Sequence, residues 1–183
     1  MLTWGQIEAL CAAGKLVRWK PHRSNGSAPT GRALYMVPEV KDAIDSSVWP
    51  TALNEKPERA RLRRSVMRMV LERFHGGDEL TLDVDLKELG SGRRNPAMRG
   101  FWEFRSGPPR VQARVLGFFA RPSAFVSTSF RMRDYFEVDS SRWLSERIAA
   151  DECWEELFPD HKPMIAPWPV RSEADLRGYI ERA

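Results

Sequence analysis

Residues 100–133 read GFWEFRSGPPRVQARVLGFFARPSAFVSTSFRMR, and three apolar runs within them decide the fold. Gly100–Arg105, Val111–Phe119 and Ala124–Phe130 are rich in aromatic and β-branched side chains, which pack well on a pleated surface. Ser106-Gly107-Pro108-Pro109 and Arg121-Pro122-Ser123 separate them with residues that favour chain reversal. The pattern predicts three strands in an antiparallel meander.

On the N-terminal side, a helical pattern runs from Pro57-Glu58 to about His75. It places Leu62, Val66, Met69, Val70 and Phe74 at three- and four-residue steps and ends at Gly76-Gly77. Its other face carries Arg59, Arg61, Arg63, Arg64 and Arg68, most simply a solvated face. Residues 78–89 read as a short strand and turn. Further upstream, residues 5–14 have helical spacing and stop at Gly14. Leu16–Trp19 and Ala33–Val37 then read as a hairpin with a long basic tip, and a short helix over Glu39–Ile44 leads into a proline-containing linker. On the C-terminal side, Ser140-Ser141 is placed to cap a helix from Arg142 to about Leu157. A proline-rich stretch from Pro159 to Pro169 precedes a last helix from Ser172 to Arg182, whose Ser-x-x-Asp opening suits a capping box. The expected class is α+β, with helices packed on a small twisted antiparallel sheet and with helix-hairpin and helical extensions at the two ends. Three segments follow: 1–57, 58–158 and 159–183.

The chain has 183 residues, enough to bury a sizeable core, and its 42% hydrophobic and 30% charged content excludes whole-chain disorder. No apolar run approaches the roughly 18–20 residues of a membrane span, and the opening Met-Leu-Thr-Trp-Gly-Gln lacks a secretory pattern, so the expectation is a cytoplasmic protein without a membrane partner. Cys11 and Cys153 stand far apart and outside any CxxC, which predicts reduced thiols. GxGxxG, P-loop, GxSxG, HExxH and EF-hand patterns are missing, and His22, His75 and His161 are isolated. No cofactor and no metal site is expected.

Charge is distributed unevenly. Residues 93–133 hold nine arginines, Arg93, Arg94, Arg99, Arg105, Arg110, Arg114, Arg121, Arg131 and Arg133, against the single acid Glu103, whereas residues 134–183 carry a net −6. Arginine outnumbers lysine 23 to 6, which biased codon usage would explain, but such a bias does not explain clustering. A guanidinium group offers a planar fork matched to phosphate oxygens. Arg93, Arg94, Arg99, Arg105 and Arg110 are therefore candidate nucleic-acid contacts.

The segment LKELGSGRRNPAMRGFWEFRSGPPRVQARVLGFFARPSAFVSTSFRMRDYF, residues 86–136, resembles the core of the RelE/ParE toxin superfamily, especially its HigB-like branch. The resemblance rests on a Leu-Lys-x-Leu turn, a Trp-Glu-Phe-Arg strand, an Ala-Arg-Val-Leu-Gly-Phe-Phe strand and a strand ending in Phe-Arg-Met-Arg. With the helix that opens at residue 58 it extends over residues 58–136. It implies two helices on a twisted antiparallel sheet with a basic concave face. It also implies action on RNA at the ribosome by metal-independent phosphodiester cleavage, and an antitoxin partner. Carried over by position, Arg105 falls on the first basic strand, Arg114 on the second, and Arg131 with Arg133 on the terminal basic pair. Tyr135 falls near the place of a proton-transfer residue. The chain departs from the family in length, in Ala113 where a tyrosine precedes the strand arginine, and in arginines for the terminal lysines.

Fixed positive charge from Arg114, Arg131 and Arg133 suits the charge that develops on phosphorus during cleavage. Arginine is a poor general base, however, and residues 93–133 contain neither lysine nor histidine, which leaves Tyr135 for proton transfer. Two other readings stay open. One is a phage- or plasmid-borne protein that binds nucleic acid or a nucleoprotein complex without chemistry. In the other, the acidic C-terminal segment folds back on the arginines and makes them an internal interface.

Overall fold

Every residue of Val115–Ala120 on the central strand is buried, and this strand carries the sheet on which the rest of the chain is assembled. A computed structural model describes residues 2–21, 32–51, 55–90, 96–107, 112–166 and 170–181. The elements, in chain order, are α1 (Trp4–Ala12), β1 (Val17–Arg18), β2 (Ala33–Met36), α2 (Pro38–Asp45), α3 (Pro57–Gly76), β3 (Leu86–Glu88), β4 (Trp102–Arg105), β5 (Ala113–Arg121), β6 (Ala124–Met132), α4 (Asp134–Glu137), α5 (Arg142–Leu157) and α6 (Glu173–Ile180). A short 3-10 turn at Pro96–Met98 precedes β4.

The fold is α+β, as the pattern predicts, and β4, β5 and β6 form the expected meander. The six strands run in the order β1-β2-β6-β5-β4-β3. The sheet is mixed, not purely antiparallel: β2 lies parallel to β6, with Ala33 opposite Ala124 and Met36 opposite Ser127. A parallel pair needs a long crossover, and the chain between these two strands includes α2 and α3. Segment 1–57, which the sequence pattern sets apart, thus contributes two strands to the same sheet, and its Leu34, Tyr35 and Met36 are fully buried. The tip of the β1–β2 hairpin lies outside the described residues.

Helices cover both faces of the sheet. On one face Phe74 of α3 meets Phe104 and Phe119, with ring centroids 5.2 and 6.1 Å apart, and Tyr179 of α6 stacks on Trp102 at 5.4 Å. On the other face Trp154 of α5 meets Phe118 at 5.4 Å. The linker after α2 is docked as well, with Trp49 buried edge-on against Phe130.

Local signals fix several helix ends. Thr3 with Gln6 and Ser172 with Asp175 form reciprocal capping boxes at α1 and α6. Gly77 ends α3 at φ 79°, a left-handed conformation that costs glycine little. The expected cap of α5 is different: Ser141 occupies the position in a helical conformation and its side chain makes no capping bond. The buried stripe of α3 is also rotated from the expected one. Leu62 and Met69 are exposed, whereas Arg63, expected on the solvated face, is buried with Ala60, Met67, Val70, Leu71 and Phe74. The reason is a local charge pair: Arg63 binds the Glu55 carboxylate and the Pro50 carbonyl, so the linker covers its guanidinium.

Candidate functional site: an arginine row across three strands

Directly opposed residues of an antiparallel sheet point to the same face. Arg105 of β4 is opposite Arg114 of β5, and Arg114 is opposite Arg131 of β6, so three guanidiniums form one row across the sheet. Glu103 shares that face two residues before Arg105. Its carboxylate is 2.7 Å from Nε of Arg114 and 3.4 Å from Nε of Arg105. Arg133, two residues beyond Arg131, is anchored through its backbone N–H, which donates to the Gln112 carbonyl.

The row is graded in exposure. Arg114 is 1% exposed and also donates to the Gln112 side chain and the Ala113 carbonyl. Burial raises the Glu103 carboxyl above its ordinary pKa against the opposing fields of Arg114, Arg105, Lys87 and Arg133. Burial likewise lowers the Arg114 guanidinium, and Glu103 resists that shift. Toward solvent, the side chains of Arg131 and Arg133 are 41% and 45% exposed. Arg105 is mostly covered and reaches the Asp83 carbonyl.

Carboxylates accompany the exposed pair. Arg131 binds Glu146 of α5 at 3.0 Å, and Arg133 binds Glu137 of α4 at 3.0 Å. Two carboxylates of the acidic C-terminal segment, the buried Glu146 and the exposed Glu137, therefore reach back to this face, while Arg131 and Arg133 keep part of their surface in solvent. Tyr135 sits in the same cluster. The Arg131 and Arg142 guanidiniums lie 5.5 and 4.7 Å from its ring centroid, and Arg142 donates to the Tyr135 carbonyl.

The structure thus brings together Arg105, Arg114, Arg131, Arg133 and Tyr135. Arg99 is held elsewhere, its guanidinium donating to the Ala166 carbonyl at 2.6 Å. Arg93, Arg94 and Arg110 lie outside the described residues. Among the described residues no group of three or more His, Cys, Asp or Glu is arranged to hold a metal, and no helix is long and apolar enough to cross a membrane.

No family model, curated protein or solved structure matches the chain. The site therefore rests on its own geometry. Of the two further members of the cluster, one carried a sequence signal. Glu103 is the only acid among the nine arginines, which makes it their natural counter-ion. Arg142 gave no signal, because only the turn through α4 brings α5 back beside Tyr135.

Proposed function

We propose that this chain acts on RNA in the manner of the RelE/ParE-type toxins it resembles, by metal-independent phosphodiester cleavage. The observation that carries this reading is the row Arg105–Arg114–Arg131, continued by Arg133, with the guanidiniums of Arg131 and Arg133 open to solvent. A ribose 2′-hydroxyl attacks the adjacent phosphate and the bond to the leaving 5′-oxygen breaks. Arg131 and Arg133 face the charge that builds on the phosphoryl oxygens. In this scheme Tyr135, whose ring lies beside the Arg131 and Arg142 guanidiniums, passes the 2′-hydroxyl proton to the leaving 5′-oxygen, directly or through water. Arg114 does not touch RNA in this scheme. Buried on Glu103, it is a positioning residue that holds β4 and β5 in the geometry that presents Arg131.

The burial of Arg114 favours a second reading, RNA binding without cleavage, because it removes one of the catalytic guanidiniums from reach. One set of experiments separates the two. Induced expression in bacteria is expected to arrest growth, and purified protein to release cleaved RNA without added metal. Arg133→Ala should suppress both by at least tenfold. Arg131→Ala is best made together with Glu146→Gln, since the buried carboxylate would otherwise lose its partner. Salt-sensitive RNA affinity that falls with each arginine removed, without product, supports the binder. Harmless expression with no RNA affinity overturns both.

A further inference from the structure

The arginine row ends beside a cleft of about 640 Å³ between α2, β6 and α5, a volume within the range of small-ligand sites. Val37, Pro38 and Val40 of the α2 entry form one apolar wall, and Leu157 of α5 belongs to the other. The floor is the stretch of β6 from Thr128 to Arg131. Two hydroxyls in that floor, Oγ1 of Thr128 and Oγ of the 9% exposed Ser129, are buried without a hydrogen-bond partner among the described residues. Buried hydroxyls are ordinarily paired, so these two stand out in the floor of the cleft.

Charge at the cleft is arranged in two kinds. Lys15 and Arg131 line it, and only two of the Arg131 nitrogens are engaged: Nε bonds Glu146 and Nη1 bonds the Phe130 carbonyl, which leaves Nη2 without a protein acceptor among the described residues. Glu39 of α2 and Glu156 of α5 line opposite sides. Both lie within the field of the half-buried Cys153 thiol, whose pKa is raised by burial first and then by Glu156 and Glu39.

We propose that this cleft receives one nucleotide of the RNA strand, its base between α2 and α5 and its phosphate on the open side of Arg131. This rests on the RNA reading above and adds a substrate subsite to it. Apolar walls accept the faces of a flat ring. An ionised carboxylate only accepts hydrogen bonds, so Glu39 and Glu156 select a base that presents an exocyclic amine and disfavour uracil, whose substituents there are carbonyls.

Cys153 provides a direct test. Alkylation of Cys153 and Cys11 by iodoacetamide is followed by mass spectrometry in the presence of 5′-GMP, 5′-UMP or ribose 5-phosphate. GMP is expected to slow labelling of Cys153 at least fivefold while Cys11 is unaffected, with UMP and ribose 5-phosphate far weaker. Ala43→Phe, which fills the cleft from α2, should abolish the protection while the melting curve stays cooperative; the wild-type comparison decides the matter if that variant does not fold. No protection at millimolar GMP, or equal protection by ribose 5-phosphate, overturns the subsite. RNA binding through Arg133 with Cys153 unprotected removes the subsite and leaves the RNA reading. Protection by GMP in a protein with no RNA affinity keeps the nucleotide site and removes the RNA reading.

Discussion

Glu103 and Arg114 are 3% and 2% exposed at their side chains, and their contact is 2.7 Å. A buried pair of this kind adds little over an apolar pair of the same volume, but removing one partner strands the other charge. Glu103→Gln is therefore expected to cost about 3–5 kcal/mol in urea unfolding, and the double change Glu103→Leu with Arg114→Met to recover most of it. Equal losses in the single and double variants would remove the ion-pair account. Arg105 and Arg114 were both legible from the sequence as strand arginines, since alternation fixes the face. Which of them meets water was not, because burial depends on what α5 and the neighbouring strands place over each.

At the level of elements, β5 and β6 change register between Leu116 and Gly117, where Leu116 opposes Ser129 and Gly117 opposes Ser127. The strands approach so closely there that a Cβ on Gly117 would sit 2.0 Å from the Val126 carbonyl oxygen. Gly117→Ala should therefore destabilise the protein by about 1–3 kcal/mol, the scale of forced overpacking, read as a lowered melting temperature. A second joint ties α2 to α3: Asp45 accepts from Lys41 and, at 2.7 Å, from Arg68, while its carbonyl accepts from Arg64. Burial opposes ionisation of Asp45, yet Lys41 and Arg68 outweigh it and hold the carboxyl below its ordinary value of 3.8. A depressed carboxylate pKa gives stability that is present above the unfolded value and lost as pH falls through the folded one. Between pH 5 and about 3 the wild type should lose more melting temperature than Asp45→Asn, and parallel curves would refute the assignment. The helix of α3 was readable from Pro57, the apolar steps and Gly77. Its rotation was not, because Arg63 is buried against Glu55 and Pro50 of the linker, a contact that hydrophobic periodicity does not register.

For the molecule as a whole, α6 closes one face of the sheet. Tyr179 of α6 stacks on Trp102, meets Phe119 at 5.3 Å and donates its hydroxyl to the Met164 carbonyl at 2.7 Å. Removing α6 should expose Trp102, red-shift the tryptophan emission and lower the melting temperature. Tyr179→Ala alone is expected to cost about 3 kcal/mol, in the range of aromatic truncations in a core. Unchanged emission in the truncated chain would show that α6 does not seal this face. The sequence by itself determined the local elements: the three-strand meander, the helices other than the short α4, and the strand faces on which the arginines lie, because these follow from periodicity, glycine and proline, and caps within a few residues. Only the tertiary structure decided that β2 joins β6 in parallel, that Glu103 neutralises Arg114, and that α2 and α5 enclose a cleft beside Arg131. Each of these depends on contacts between residues far apart in the chain, where loop closure and packing, not local conformational preference, select the partner.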